Sequence, residues 1–274
     1  MTSPRLFTEA PGERFREGGL PRVESAFAPG LVAAVTTREL DFGRHTESRA
    51  RDVSDAHRAL LEWAAEGFDL VVGGSQVHGA RLFHADGVRV PESGERRGPA
   101  TVRVAGYDGF ITSRPGVLLT VGIADCVPAF LAAPGRGAVA LLHAGWRGVA
   151  GEIVPLAIAA LERELEVPAR EIVAWWGPAI GPCCYPVGRE VVEALEATTA
   201  GRRPEGWLEA DGSTARVDLR AALTLQAEAA GVRPGAISSS SLCTSCDRRL
   251  HSYRRESGGG GRMLALAGYP RKGR

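Results

Sequence analysis

The sequence has little lysine, few aromatic residues, almost no net charge and no long apolar run. All but one of its 33 basic residues are arginines, and aromatic residues make up 6%. The formal net charge of +1 argues against a nucleic-acid-binding protein, whose surface would carry a basic excess. No apolar run reaches the roughly 18 residues of a membrane span, and residues 1–21 lack the apolar region of a secretory signal. We therefore expect a cytoplasmic protein that binds neither membranes nor nucleic acids.

The length and the order of the predicted elements favour one domain of mixed α/β (α+β) architecture. The chain has 274 residues, of which 44% are hydrophobic, enough to bury a core. Predicted strands and helices interleave, and the short loops between them favour mixed rather than purely parallel strand pairing. We expect an irregular N-terminal segment over residues 1–30 and a single domain over residues 31–274.

The hydrophobic pattern predicts the individual elements. Continuous apolar runs such as 117–123 (VLLTVGI) are typical of buried strands. The predicted strands cover residues 31–37, 69–73, 117–123, 138–142, 172–176, 236–242 and 263–267. The predicted helices cover residues 54–66 with Ser54 as N-cap, 150–165, 189–198 and 218–231. Residues 91–100, which are charged and contain glycine and proline, are predicted to form a surface loop.

Three side chains that bind metals well each follow a predicted strand. They are His78, Cys126 and His143. Two imidazoles and one thiolate suit Zn²⁺, and three protein ligands leave a fourth position open, as catalytic zinc requires. The metal would hold Cys126 as a thiolate and would activate water or polarise a substrate atom. The alternative is that Cys126 is a small core residue and that both histidines are hydrogen-bonded polar groups.

The same residues allow a second chemistry that needs no metal. Cys126 would be the nucleophile and His143 the base of a cysteine hydrolase, with Asp125 or Gln76 orienting the imidazole. This arrangement requires the thiol and the imidazole to lie within hydrogen-bonding distance.

The other four cysteines form a further motif. Cys243 and Cys246 have C-x-x-C spacing, and Cys183 and Cys184 are adjacent in the chain. Together they could form a structural zinc site, with ordinary buried thiols as the alternative. The zinc deaminase pattern is absent, because Leu242 rather than proline precedes the C-x-x-C motif.

Several motifs resemble a known family. They are residues 75–79 (SQVHG), 107–112 (YDGFIT), 124–128 (ADCVP), 143–148 (HAGWRG), 177–185 (GPAIGPCCY), 243–244 (CT), 252–255 (SYRR) and 261–262 (GR). In this order they resemble the laccase-domain or multicopper polyphenol oxidoreductase family, whose members are now described as purine nucleoside phosphorylases. The resemblance runs from about Leu31 to the C-terminus.

The resemblance implies a fold, a cofactor and an activity. The fold would be a single catalytic domain of mixed sheets flanked by helices, similar to the catalytic domain of cytotoxic necrotizing factors. Zinc would be held by His78, Cys126 and His143. The implied reaction is phosphorolysis of adenosine, inosine and methylthioadenosine to the base and ribose 1-phosphate, with adenosine deamination as a second activity. The partners would be small purine nucleosides and phosphate.

The site residues follow from the motifs and from the chemistry of the two reactions. Cys126, His143, Asp125 and Arg147 are the catalytic candidates. Phosphorolysis needs a bound phosphate, for which arginines are natural partners, and stabilisation of an oxocarbenium-like sugar. Arg147 is the first candidate for binding phosphate and Arg262 the second, and Gln76 is a substrate-binding candidate. The chain departs from the usual motifs at Pro186, His251 and Gly260, which leaves the three zinc candidates in place.

Two other functions compete with this hypothesis. Some bacterial relatives resemble peptidoglycan editing factors, which would make the chain a hydrolase acting on a nucleotide-linked muramyl amino acid. The older family name implies a copper-dependent polyphenol oxidase. Multicopper sites are rich in closely spaced His-x-His pairs, and the six histidines of this chain include none. Zinc is therefore the expected metal, and copper is the less favoured one.

Overall fold

The computed structural model describes residues 8–9, 13–17, 20–43, 55–89, 98–199, 202–204, 207–210, 214–258 and 260–271. The strands within these ranges are β1 (Thr8–Glu9), β2 (Arg14–Arg16), β3 (Arg22–Glu24), β4 (Val32–Thr36), β5 (Leu70–Ser75), β6 (Leu82–His84), β7 (Ala100–Ala105), β8 (Gly109–Thr112), β9 (Val117–Ile123), β10 (Val127–Ala133), β11 (Ala138–Ala144), β12 (Val173–Trp176), β13 (Pro186–Gly188), β14 (Leu208–Ala210), β15 (Thr214–Arg216), β16 (Ile237–Ser239) and β17 (Met263–Gly268). The α-helices are α1 (Asp55–Ala64), α2 (Trp146–Ala150), α3 (Ile153–Leu165), α4 (Arg189–Glu196) and α5 (Leu219–Ala229).

Two seven-stranded sheets form the centre of the molecule. The first has the strand order β1-β16-β12-β10-β11-β8-β6, and the second has the order β2-β3-β4-β17-β9-β5-β7. A small sheet of order β13-β15-β14 accompanies them. Antiparallel pairs such as β10 with β11 and parallel pairs such as β5 with β9 occur together. The predicted mixed α+β class is therefore confirmed.

The side chains of the central strands alternate between two cores. On β10, Leu131 packs with residues of α3 and α5, whereas Phe130 packs with residues of the second sheet. This period of two is what strand geometry imposes when both faces of a sheet are covered. On the far side of the second sheet, Leu118 and Leu266 pack against Leu60 of α1. The layers are thus helices, first sheet, second sheet and α1.

Aromatic rings fill the space between the two sheets. Phe130 and Trp175 are fully buried, and their rings stack with centroids 4.6 Å apart. Such a pair contributes about 0.5–1.5 kcal/mol beyond the area that it buries. Both rings belong to the core that the first sheet shares with residues of the second.

Strand β10 was not predicted from the sequence, although all seven of its residues are buried. Its second residue is Pro128, and proline within a run argues against a central strand. In the structure, pairing with β12 begins only at Ala129, and the N–H of the opposite residue, His143, bonds to a carbonyl outside β10. The carbonyl of Pro128 accepts the N–H of Gly177 (3.0 Å) just past the end of β12, so the missing N–H falls where the ladder with β12 ends.

The predicted irregular segment over residues 1–30 contains strands. β2 and β3 pair with each other, and β3 pairs with β4 at the edge of the second sheet. Their sequences, RFR and RVE, are too short and too charged to give a hydrophobic pattern. β2 is the edge strand of this sheet, and charged residues are favourable on a strand that is exposed to water on one side.

The predicted helix over residues 150–165 is wrong at its beginning. The chain forms two helices, because α2 ends at Ala150 and Glu152 takes a left-handed conformation with φ 56° before α3 begins. The predicted helix over residues 218–231 is confirmed, with Asp218 as N-cap accepting a hydrogen bond from the N–H of Arg220 (3.0 Å). Ser54 and most of the predicted loop 91–100 lie outside the described residues.

The remaining predicted elements differ mainly at their ends. The strand over 117–123 is confirmed residue for residue, and the strand over 138–142 continues to Ala144. The strand predicted over 236–242 covers only Ile237–Ser239. In the part of the chain that the structure describes, no helix is long and apolar enough to cross a membrane.

Candidate active site

Strand ends from both sheets bring His78, Cys126 and His143 together. His78 follows β5 of the second sheet, Cys126 connects β9 to β10, and His143 lies near the end of β11 in the first sheet. One ligand atom of each lies within 4.8 Å of the others. The imidazole rings of His78 and His143 meet edge to face, with centroids 4.7 Å apart. We call these three residues the His–Cys–His group.

The backbone around this group is held in unusual conformations. His78 has φ 59° and Asp125 has φ 84°, values that residues other than glycine seldom adopt. Such strain is found where the surrounding structure holds a functional side chain in place. Gly145 contributes by its missing side chain, because a Cβ there would lie 3.0 Å from Sγ of Cys126 and 3.1 Å from Cδ2 of His78.

Asp108 holds two members of the His–Cys–His group in place by hydrogen bonds. Its fully buried carboxylate accepts a hydrogen bond from Nδ1 of His143 (2.9 Å). It also accepts the backbone N–H groups of Val77 (3.2 Å), His78 (2.9 Å) and Gly79 (2.8 Å). Burial raises the pKa of Asp108, but these hydrogen bonds outweigh burial and hold it below its usual range. One carboxylate therefore fixes both the imidazole of His143 and the chain that carries His78.

The charges of Cys126 and His143 depend on each other. Burial raises the pKa of the Cys126 thiol, but the imidazoles of His143 and His78 outweigh it and lower the pKa to about 6. Burial lowers the pKa of His143, but the Cys126 thiolate and Asp108 raise it to about 9. The protein alone thus favours a thiolate beside an imidazolium at neutral pH.

The His–Cys–His group fits a zinc ion. Because Nδ1 of His143 is occupied by Asp108, its other ring nitrogen is left for the metal, the usual arrangement of zinc-binding histidines. Cys126 already favours the thiolate form that a metal requires. Two imidazoles and one thiolate are a borderline donor set, which zinc accepts with one position left open.

Asp125 lies beside Cys126, but its carboxylate is engaged elsewhere. Oδ1 accepts the hydroxyl of Thr244 (2.5 Å), and Oδ2 accepts the N–H of Arg254 (2.7 Å). The cysteine hydrolase alternative supposed that Asp125 orients His143. In the structure the residue that orients His143 is Asp108. The Asp125 carboxylate instead ties two distant loops to the site.

Gln76 lines the same cavity with its amide group bonded to the backbone. Nε2 donates to the carbonyl of Gly122 (2.6 Å), and Oε1 accepts the N–H of Gly122 (3.1 Å). This pairing joins the end of β5 to β9. Gln76 therefore does not orient His143, and its second amide N–H remains available to the cavity.

The His–Cys–His group opens into a cavity of 950 Å³ that contains four arginines. They are Arg103, Arg147, Arg254 and Arg262. The volume falls in the range of small-molecule sites, which are about 300–1,000 Å³. Guanidinium groups bind phosphate and carboxylate well because their fork of donors matches two oxygen atoms. The cavity is therefore suited to an anionic ligand next to the His–Cys–His group.

The two arginines predicted to bind phosphate both line the cavity, and they differ in how many hydrogen bonds their guanidinium groups already make to the protein. Arg147 lies over the ring of Trp146 at 4.3 Å, and among the described residues no carboxylate pairs with it. Arg262 donates from Nη1 to the carbonyls of Gly260 and Gly261, both at 3.1 Å. Arg147 is thus the more available anion ligand.

Asp108 is the residue that the sequence analysis missed. A single aspartate in a turn-like YDGF segment carries no local sign of function, and only the pairing of β8 with β11 brings it to His143. The signal that could have found it is its place within the family motif at residues 107–112.

A comparison with protein families identifies the chain. The model described as multi-copper polyphenol oxidoreductase laccase matches residues 29–269. The chain belongs to this family. The resemblance seen in the sequence motifs is therefore confirmed, and the match includes all three members of the His–Cys–His group and all four cavity arginines.

Two proteins named purine nucleoside phosphorylase and a solved structure resemble the chain over most of its length. "Purine nucleoside phosphorylase YlmD" from Geobacillus stearothermophilus is 38% identical over 250 residues, which is 87% of this chain and 90% of the relative. A "Purine nucleoside phosphorylase" from Deinococcus radiodurans is 36% identical over 270 residues, 93% and 95% of the two chains. The crystal structure of YlmD from Geobacillus stearothermophilus matches with a TM-score of 0.78 at 32% identity, covering 94% of this chain and all of that one.

Proposed function

We propose that the protein is a zinc-dependent purine nucleoside phosphorylase that also deaminates adenosine. Its substrates would be adenosine, inosine and methylthioadenosine, together with phosphate. The observation that carries the proposal is that the His–Cys–His group and four arginines line one cavity. The names of the relatives support a phosphorylase of purine nucleosides.

Zinc is proposed as the cation of the His–Cys–His group. When bound, it would polarise a substrate atom and lower the pKa of a water molecule. Among the described residues, the other group able to bind a metal consists of four cysteines. Neither group has the closely spaced histidine pairs of multicopper sites, so the donor sets favour zinc over copper.

The arginines are proposed to hold the phosphate that attacks the ribose. In phosphorolysis a phosphate oxygen bonds to C1′ of the ribose while the bond from C1′ to the base nitrogen breaks. Arg147 is the first candidate for binding this phosphate, and Arg262, which lines the same cavity, is the second. Their positive charge would hold the anionic phosphate in place, and the negative charge of the phosphate would face the positive charge that develops on the ribose as the bond breaks.

Other residues of the chain hold this arrangement in place. Asp108 fixes the imidazole of His143, and Gly145 leaves room for Cys126 next to His78. Asp125 was a catalytic candidate, but since both of its oxygens accept hydrogen bonds we propose that it positions Thr244 and Arg254.

The five cysteines are free thiols, which supports a cytoplasmic location.

The experiment uses zinc-loaded protein and adenosine, with and without phosphate, and separates the products by chromatography. Phosphate-dependent release of adenine and ribose 1-phosphate supports the phosphorylase, and phosphate-independent inosine supports the deaminase. Cys126→Ala removes the central thiolate and should abolish both. If neither product forms with zinc-loaded wild type, the proposal is wrong, and a nucleotide-linked muramyl peptide becomes the substrate to test.

Arg147→Ala tests the phosphate site. Because a hydrogen bond to a charged group contributes about 1.5–3 kcal/mol, we expect KM for phosphate to rise about 10- to 100-fold while zinc content stays unchanged. Arg189→Ala, on the exposed face of α4, is the matched control and should behave as wild type. An unchanged KM for phosphate in Arg147→Ala would remove this residue from the phosphate site.

A further inference from the structure

Four cysteines meet in a second cluster that the proposed reaction does not use. Cys183 and Cys184 lie in the loop after β12, and Cys243 and Cys246 lie in the loop after β16. β12 and β16 are parallel neighbours in the first sheet, so the two loops leave the same edge of the sheet. All four sulfur atoms lie within 4.8 Å of one another.

The distances between the sulfur atoms fit a metal centre. Sγ of Cys246 lies 3.6 Å from Sγ of Cys183 and 3.4 Å from Sγ of Cys184. Four thiolates arranged as a tetrahedron around zinc, with Zn–S bonds of about 2.3 Å, place their sulfur atoms about 3.8 Å apart. A disulfide would instead require about 2.05 Å between two of the sulfur atoms, and all four cysteines are free thiols.

The first cysteine of the C-x-x-C motif accepts a backbone hydrogen bond from the other loop. Sγ of Cys243 accepts the N–H of Gly181 (3.2 Å). A backbone donor of this kind orients a metal-bound thiolate, as hydrogen bonds to metal-bound ligands do.

Two arginines place positive charge around the cluster. Arg216 donates to the carbonyl of Cys183 (2.6 Å). Arg255 donates to the carbonyls of Thr244 (2.7 Å) and Ser245 (3.2 Å), inside the C-x-x-C turn. Four thiolates and one divalent cation carry a net charge of −2, which these guanidinium groups partly balance.

We propose that Cys183, Cys184, Cys243 and Cys246 bind a structural zinc ion, separate from the His–Cys–His group. On binding, each thiol loses its proton and its sulfur bonds to the metal, and no oxidation takes place. The inference does not rest on the proposed function, because the cluster contributes none of the four arginines and none of the His–Cys–His ligands.

The zinc joins two loops that build one wall of the cavity. The first loop carries Tyr185 and the second carries Arg254, and both residues line the cavity. Thr244 lies between Cys243 and Cys246 and donates its hydroxyl to Asp125, next to Cys126. The metal therefore also fixes the residue that holds the Asp125 carboxylate.

The test measures zinc bound per chain in four purified proteins by elemental analysis. Wild type should contain two zinc ions, Cys126→Ala should contain one, and Cys184→Ser/Cys246→Ser should contain one. Ser245→Ala, which alters the same turn without removing a thiol, should keep two. One zinc ion in wild type that is lost in Cys126→Ala and kept in Cys184→Ser/Cys246→Ser would overturn the proposal.

A second measurement does not depend on the folding of the double variant. X-ray absorption at the zinc edge of Cys126→Ala should show a shell of four sulfur atoms at about 2.3 Å. Nitrogen or oxygen atoms in that shell would contradict the four-cysteine site. Wild-type protein can also be alkylated after denaturation without reduction and examined by mass spectrometry, and all five thiols should be labelled. If two or four cysteines escape labelling, they form disulfides, and the proposal is overturned.

Discussion

A buried carboxylate is stable only when hydrogen-bond donors surround it. The donors that surround Asp108 belong to the residues of the candidate metal site. Transfer of an unpaired charge from water into the core is costly. Its four donors are the imidazole of His143 and three consecutive N–H groups beginning at Val77. The left-handed conformation of His78 lets these N–H groups converge on one carboxylate. The stability of the loop and the geometry of the metal site therefore depend on the same residue.

Asp108→Asn should weaken zinc binding in a protein that still folds. The amide has one acceptor oxygen, and its NH₂ group would face N–H groups that need an acceptor. Loss of partners of metal ligands commonly costs about 10- to 100-fold in metal affinity, so we expect the zinc dissociation constant of the Cys184→Ser/Cys246→Ser protein to rise by that factor. Competition with a chromophoric chelator measures it.

The control for this prediction is Asp55→Asn, which changes an exposed carboxylate of α1. Its zinc affinity should equal that of the parent protein. NMR of ¹⁵N-labelled histidine provides a readout that a purely structural role would leave unchanged, because the proton on Nδ1 of His143 should shift only in Asp108→Asn. Equal zinc affinities in Asp108→Asn and Asp55→Asn would contradict the role given to Asp108.

At the level of single elements, sequence pattern predicted some of the buried strands, such as β9, and missed others, such as β8 and β10. β9 matched residue for residue, because a continuous apolar run of strand length has few other uses. β10 was not predicted, although all seven of its residues are buried. It contains Pro128, and whether a proline is tolerated in a strand depends on the neighbouring strands. β7 alternates between exposed and half-buried residues, a weaker signal than an apolar run.

The site was predictable in composition but not in geometry. His78 and His143 follow strands, and the sequence could indicate that strand ends share an edge. The sequence could not indicate that they come from different sheets, or that the turn before β8 supplies Asp108. Those facts depend on strand order, which local patterns do not determine.

Asp86 gives a prediction for the connection between β6 and β8. Its carboxylate accepts the hydroxyl of Thr112 and both the N–H (3.1 Å) and the hydroxyl (2.6 Å) of Ser113. Burial raises its pKa, but these hydrogen bonds outweigh burial and lower the pKa. A lowered pKa stabilises the fold above the unfolded-state pKa of about 3.9, and this contribution is lost as pH falls through the folded-state pKa.

Asp86→Asn should therefore lower the free energy of unfolding by about 1–3 kcal/mol at pH 7. The difference from wild type should shrink as the pH is lowered below about 4. Urea titrations from pH 7 to pH 3 measure it, with Asp55→Asn as the exposed control. A difference that stays constant over this range would show that the ionised carboxylate of Asp86 is not the cause.

At the scale of the whole molecule, the last strand of the chain pairs with strands from its beginning and its centre. β17 lies in the middle of the second sheet, paired with β4 from the beginning of the chain and with β9 from the centre. Met263 and Ala265 face the core between the two sheets, whereas Leu266 faces α1. Because His78 belongs to the second sheet and His143 to the first, docking of the two sheets also assembles the site.

Removal of residues 263–274 should therefore abolish cooperative folding. It deletes two ladders of backbone hydrogen bonds and exposes two cores, and each fully buried large side chain alone contributes about 1.5–3 kcal/mol. Such losses exceed what a domain with about 5–15 kcal/mol of stability can bear. Arg189→Ala, at an exposed position of α4, is the control and should leave unfolding unchanged. A cooperative urea transition in the longer truncation, followed by tryptophan fluorescence, would show that the second sheet forms without its central strand.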